Sequence, residues 1–350
     1  MLTRHSEPNF TLMPGRTSTF YSFFFFLSVA LLVSSCHSYT NEILRRTGQE
    51  THRTSAAITI TEHGLFPEGI EYDDCGHRFL VSSLTRGTIG AVDYEGNYES
   101  FIEDEALAAT VGIEVDEARQ RLLVCVSDPN AAGTAALGSY DLLTGERHFL
   151  TDLTAVAYDN APHFANDVTV DQQGNAYVTD SFSPIIYKVD PQGVASVFLQ
   201  DDDFRASPGE FGLNGIVFNP NEFLIVAFSE RGLLYRIPMN NPQAFTQIAT
   251  EPGSVTSPDG LYLAGDAQML MVVNNDDGGV QGNMIALGSD DHWASTRVLD
   301  RFKTGPVFPT TVAQQDDAFY VLYTYLDELF SGDTSRDTFE VMEIDCGVDK

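Results

Sequence analysis

A strand–turn–strand pattern recurs six times between Glu68 and Thr324, and nothing else in the chain restricts its fold so strongly. The copies begin at Glu68 (EGIEYDDCGHRFLVSS), Val111 (VGIEVDEARQRLLVCVSD), Asn166 (NDVTVDQQGNAYVTDS), Asn214 (NGIVFNPNEFLIVAFS), Asp259 (DGLYLAGDAQMLMVVNN) and Thr310 (TTVAQQDDAFYVLYT). They are 43, 55, 48, 45 and 51 residues apart. In the third copy the turn reads DQQGN, where Gly174 can take the positive φ that a tight hairpin demands. Two more strand-like runs follow most copies: GAVDY and YESFI, IIYKVD and ASVFL, LLYRIP and FTQIA. Units of four strands at this period describe propeller blades.

Residues 56–345 show no strong helical periodicity, and six blades fill that span. The expected class is all-β: a six-bladed β-propeller of four-stranded antiparallel blades, one domain over 56–350. The run AAITIT (56–61) precedes the first blade and is expected to pair beside FEVMEID, closing the ring. Closure removes exposed sheet edges.

Fifty Asp and Glu against 19 Lys and Arg give a net charge of −31, and only three of the basic residues are Lys. Such a surface repels phosphate backbones, so nucleic acid is excluded as a partner. It also argues against docking on an anionic lipid surface by charge. The acidic surface keeps the protein soluble, and a monomer is expected.

Residues 1–35 read as a signal peptide. The apolar run FYSFFFFLSVALLV (20–33) is shorter than the roughly 20 residues of a membrane span and follows Arg4 and Arg16. It ends in VSSC, which matches a bacterial lipoprotein signal with Cys36 as the lipidated first residue of the mature chain. An ordinary secretory signal cut nearby is the alternative, and translation starting at Met13 is compatible with both. Residues 36–55 form a linker. The expected location is outside the cytoplasm of a bacterium, lipid-anchored in the periplasm or outer membrane or at the cell surface. The anchor is the only membrane contact expected. Of the remaining cysteines, Cys125 reads as a core strand residue, while Cys75 and Cys346 sit at turn or end positions and could pair.

The first residues of the six copies share one phase, so in a propeller they ring one axis. They are Glu68, Val111, Asn166, Asn214, Asp259 and Thr310. Four carry acid or amide oxygens. Each of the dipeptides EG, ND, NG and DG is turn-prone by itself, but their recurrence at one phase in blades one, three, four and five is not explained by turn chemistry. Two carboxylates crowded at a channel mouth repel, and a bound cation removes the conflict. Hard oxygen donors suit Ca2+. Zinc prefers His or Cys, and Mg2+ and Mn2+ demand tighter geometry, so Zn2+, Mg2+ and Mn2+ stand behind it as substitutes.

With PEG in blade one, ND in blade three, NG in blade four and PDG in blade five, the chain resembles the senescence-marker-protein/gluconolactonase family of six-bladed propellers over about residues 64–345. The resemblance implies that Glu68, Asn214 and Asp259 hold a divalent cation, usually calcium, with Asn166 beside it as ligand or substrate contact. Thr310 and Thr311 also match. Diisopropyl-fluorophosphatase and the paraoxonases share the cation arrangement more distantly. One position departs: where sugar-lactone enzymes of the family often carry Arg, two residues before the blade-three Asn, this chain has Phe164 in HFAND. A guanidinium there would grip polar groups bidentately. With Phe164, Phe211 and Phe308 beside the ring, the mouth is expected to be more apolar and to suit a less polar lactone or ester.

The expected activity is therefore a calcium-dependent lactonase-type hydrolase acting on a small-molecule lactone or ester. Its carbonyl is polarised by the cation, and water is activated by Asp259; Glu68 is expected to serve purely as a ligand. A non-catalytic propeller with a structural calcium is the rival reading, and a phosphotriesterase-like or arylesterase activity a further one. His163, three residues before Asn166, is a weaker substrate-contact candidate beside Phe164, Thr310 and Thr311. Asn274, Asn275, Ser181 and Ser229 sit at strand ends. No GxSxG, HExxH or phosphate-cradling Gly loop is present, and DGLYLAGDAQ lacks the acids of an EF-hand.

Overall fold

A computed structural model describes residues 57–128, 133–157, 161–250, 255–276, 281–345 and 348, without the side chains of 276 and 281. The leader, Cys36, the linker and Cys346 lie outside the described residues. Six sheets follow one another in chain order, and in blades one to four the strands run outward from the axis in sequence and pair antiparallel. Blade one, for example, contains Ile70–Asp73, Arg78–Val81, Thr88–Val92 and Tyr98–Glu103. The chain is the six-bladed β-propeller that its repeats predict. Ala57–Thr61 pairs antiparallel with Thr338–Ile344, with Ile60 opposite Phe339, and becomes the outer strand of blade six. The fifth sheet has one strand more than expected: Ala249–Thr250 adds parallel to Ser295–Gly305.

Why the second strands read as unbroken apolar runs follows from their place. RLLVCVS (Arg121–Ser127) and FLIVAF (Phe223–Phe228) are buried at every position, because each face of a blade packs on a neighbouring blade. Leu80 and Ile89 of blade one pack with Ile113, Leu122 and Val124 of blade two. Tyr72 and Phe79 of blade one meet Tyr320, Leu322 and Phe339 of blade six, where the ring closes. Cys125 is a fully buried core residue, as its context suggests.

The inner strands carry the device that builds the site. In blades two to six the pairing with the second strand breaks at the ring residue: between Thr110 and Ile113, Ala165 and Val168, Leu213 and Ile216, Pro258 and Leu261, and Pro309 and Val312. Each break is a bulge holding the ring residue and its successor, and a bulge re-aims the side chains it carries. The residue after the ring residue is Gly in blades one, two, four and five because the backbones converge there. A Cβ at Gly215 would stand 2.2 Å from the Asp259 carbonyl oxygen, and one at Gly69 would stand 2.6 Å from that of Val111. Gly215→Ala is therefore expected to destabilise the protein by about 3 kcal/mol, the upper range for overpacking, as read by chemical denaturation. An unchanged midpoint would show that the blades can separate at little cost.

Candidate active site

All six ring residues line one cavity of about 720 Å3. Side-chain to backbone bonds lock each blade to the next around it. Ser127 Oγ donates to the Ala165 carbonyl (3.0 Å), Ser181 Oγ to Leu213 (2.6 Å), Ser229 Oγ to Pro258 (2.5 Å) and Asn274 Nδ2 to Pro309 (2.8 Å). Thr310 Oγ1 closes the circle on the Glu68 carbonyl at 2.6 Å. Ser181 and Ser229, which the sequence places at strand ends, are thus clamps between blades.

The same clamps orient the ring. Asn214 Nδ2 donates to Ser229 Oγ at 3.0 Å, which fixes its amide plane. Asn274 Nδ2 donates to Asp259 Oδ2. Glu68 and its neighbour enter the ring with their backbone N–H groups bonded to Ser82 Oγ, at 3.2 and 2.7 Å. Phe66, Ser257 and Phe308 stand two residues before Glu68, Asp259 and Thr310, each followed by Pro. All three have positive φ, at 40°, 49° and 46°. Left-handed backbone at non-Gly residues is costly and marks sites where the surrounding structure over-determines the chain.

Burial sets the electrostatics. Glu68, Asn166, Asn214 and Asp259 are each at most 9% exposed. Burial, then the nearby charges of Asp259 and Asp167, push the Glu68 carboxyl well above its usual range. Burial raises Asp259 to about 7 despite the hydrogen bonds from Asn274 and Asn214 that favour its charge. Asp167 is raised to about 7 by burial, although it accepts from the Val168 and Ile216 N–H groups.

Two ring oxygens, Glu68 Oε2 and Asn166 Oδ1, are buried and accept no hydrogen bond. Buried polar atoms are nearly always paired, and an unpaired one signals a missing partner. Both orphans are hard oxygen acceptors on the axis, beside a second carboxylate. A hard cation fits that donor set; a proton would satisfy one oxygen and not the other. Among the described residues no group of three or more His, Cys, Asp or Glu is placed to hold a metal, and the ring supplies two carboxylates and two amides instead.

Phe164, Phe211, Phe308 and Thr310 line the cavity as the sequence suggests, together with Asn274 and Asn275. His163 does not. It is 3% exposed, with Nδ1 2.7 Å from Asp180 Oδ2 and 3.1 Å from the Tyr187 hydroxyl, and it is absent from the cavity lining. A loop position gave no sign that a buried acid would capture the ring. Thr311, in the bulge after Thr310, lines a narrow void behind the ring with Glu68, Asp167 and Asn214. Phe182, Leu326, Leu329 and Phe330 also line the cavity without having drawn notice in the sequence. Phe182 stands two residues after the second strand of blade three, a place that could have flagged it.

The fold and ring define a class: a six-bladed propeller with an oxygen-donor ring at the mouth of its axial cavity. The sequence matches no protein-family model and no curated protein. Solved structures do match. Mala s 1, the major allergen of Malassezia sympodialis, superposes with a TM-score of 0.67 at 17% identity, covering 84% of this chain and 97% of the allergen. A gluconolactonase of Xanthomonas campestris gives 0.57 at 16% identity, covering 83% and 90%. A luciferin-regenerating enzyme gives 0.56 at 16%, covering 84% and 97%. At these identities the likeness establishes the propeller fold.

Proposed function

We propose that this protein is a hydrolase dependent on a hard divalent cation, Ca2+ first, that opens a lactone ring or cleaves a related ester. The observation that carries the reading is the pair of buried, unpaired acceptors, Glu68 Oε2 and Asn166 Oδ1, converging with Asn214 and Asp259 on one axis. A scaffold gains little from burying such oxygens. The gluconolactonase among the structural neighbours is consistent with the same chemistry.

Glu68, Asn166, Asn214 and Asp259 would hold the cation. What it supplies when bound is Lewis-acid polarisation of a carbonyl. The remaining work falls to the chain. Asn274 holds one oxygen of Asp259 and so fixes the carboxylate plane. Asp259 takes a proton from the attacking water as the water oxygen bonds to the carbonyl carbon. The carbon–oxygen bond of the ring then breaks, and the proton passes to the departing alkoxide, leaving a hydroxy acid. The leader and Cys36 support export and a lipid anchor.

The test uses the mature chain stripped of metal and assayed on a panel of lactones and aryl esters. Turnover is expected only after Ca2+ is restored. Turnover equal with and without metal, or none on any substrate, would sink the reading.

A further inference from the structure

The cavity has two apolar walls on opposite sides of the axis. One belongs to blades three and four: Phe164, Phe182 and Phe211 pack mutually, with ring centroids 5.2, 5.5 and 5.3 Å apart. The other belongs to blade six, where Phe308 and Phe330 meet edge to face at 5.9 Å beside Leu326 and Leu329. Phe330 is 59% exposed at the rim of the cavity.

The first wall is held in place from behind. Asp180 is fully buried, and its Oδ1 accepts from the backbone N–H groups of Phe164 (2.9 Å), Phe182 (3.1 Å) and Ser183 (3.0 Å). Its Oδ2 accepts from the Tyr187 hydroxyl at 2.9 Å and lies 2.7 Å from His163 Nδ1. One carboxylate thus ties together the two segments that present Phe164 and Phe182. The wall is built before any ligand arrives, which lowers the ordering cost of binding.

Charge narrows the ligand further. Glu68, Asp128, Glu210, Glu230 and Asp259 line the cavity, and among the described residues no Lys, Arg or His does. The internal segments outside the description, 129–132, 158–160, 251–254 and 277–280, contain none of these three residue types either. Away from the ring, an anionic group on the ligand's tail would enter a field of its own sign with no Lys, Arg or His side chain to receive it. The aromatic wall offers no hydrogen bonds to a polyhydroxyl chain.

We propose that Phe164, Phe182 and Phe211 are the specificity-determining surface of this cavity, and that they select an uncharged carbonyl compound by a hydrophobic tail. The identity of the carbonyl head rests on the hydrolase reading; the preference for the tail rests on the wall. The head sits over the ring, and the tail lies along the three phenyl rings. His163, Tyr187 and Asp180 are positioning residues that keep this surface in register.

The test is binding of uncleavable γ-lactams carrying straight alkyl tails of two, six or ten carbons, by calorimetry on the Ca2+-loaded protein. The dissociation constant is expected to fall about three- to fourfold for each methylene that the wall buries. A ten-carbon analogue ending in a carboxylate is expected to bind at least about tenfold more weakly than its methyl-ended counterpart, as like-charge repulsion requires. Phe211→Ala and Phe182→Ala remove half-buried rings, and each is expected to weaken the ten-carbon analogue about tenfold while moving the two-carbon one less than about twofold. Affinity independent of tail length in the unaltered protein would overturn the proposal. So would equal losses for short and long tails in both variants. Tail-dependent binding without any lactone turnover would leave the surface assigned and remove the hydrolase reading. Turnover without tail dependence would do the opposite.

Discussion

Asp259→Asn is expected to lower the metal-dependent rate of hydrolysis by about three orders of magnitude, the scale of losing a positioned general base. The substitution is isosteric. The amide keeps an oxygen that can accept the hydrogen bond now made by Asn274 to Asp259 Oδ2, so the bulge between Pro258 and Leu261 need not move. It cannot take a proton from water. It also removes one of the two ring charges, so Ca2+ affinity falls as well. The two effects separate when kcat is measured at saturating Ca2+ and the affinity by calorimetry. A loss confined to affinity, with kcat restored at high Ca2+, would make Asp259 a ligand and place the base elsewhere. Asp167 follows Asn166 in the blade-three bulge, but its bonds to the Val168 and Ile216 N–H groups suit it to joining blades three and four.

Ca2+ is expected to stabilise the fold, and Glu68→Gln to abolish that response. At a concentration 100 to 1,000 times its dissociation constant, a ligand of the native state adds about 3 to 4 kcal/mol. Without metal, the folded protein holds Glu68 well above the ordinary carboxylate range and Asp259 at about 7. The unfolded chain releases both protons near pH 4. Between pH 4 and about 7 the native state therefore binds more protons than the unfolded one, and stability falls as pH rises. The contribution is fully present below pH 4 and is lost as pH climbs through the folded values. Asp167, at about 7, and Glu71, raised to about 8 by burial and by Asp167, add to the fall in the same direction. Ca2+ takes the place of the ring protons, so the fall should shrink in its presence by the part that belongs to Glu68 and Asp259. Denaturation curves at several pH values, with chelator and with Ca2+, read this directly. In chelator at pH 8, Glu68→Gln should be more stable than the unaltered protein, because one of two repelling carboxylates is gone. Equal curves with and without Ca2+ at every pH would remove the cation from the ring.

Much of this site could be read from the chain because a propeller turns a linear phase into a circle. Glu68, Val111, Asn166, Asn214, Asp259 and Thr310 are alike only in their place within a repeat, yet all six line one cavity. The apolar mouth was legible through Phe164, Phe211 and Phe308 for the same reason: each stands two or three residues before a ring position. His163 shares that neighbourhood and turns away from the cavity, because Asp180, 17 residues later, offers its ring a buried acceptor. Phe330 reaches the cavity on a short helix, Leu326–Phe330, whose Glu328 is paired with Arg336 and whose preceding Tyr325 lies 3.5 Å under the same guanidinium. No repeat phase encodes such a contact.

What the sequence determined by itself was the blade number, the strand order within a blade, the closing strand Ala57–Thr61 and the oxygen-bearing ring. Those follow from local periodicity and from turn chemistry, which depend on residues close in the chain. The tertiary structure alone decided which ring oxygens stay unpaired, where each bulge aims its side chain, and which aromatic rings meet across the mouth. These depend on partners brought together from afar, as when Thr310 closes on the carbonyl of Glu68 from 242 residues away. Packing and burial act on such pairs only once the ring has closed.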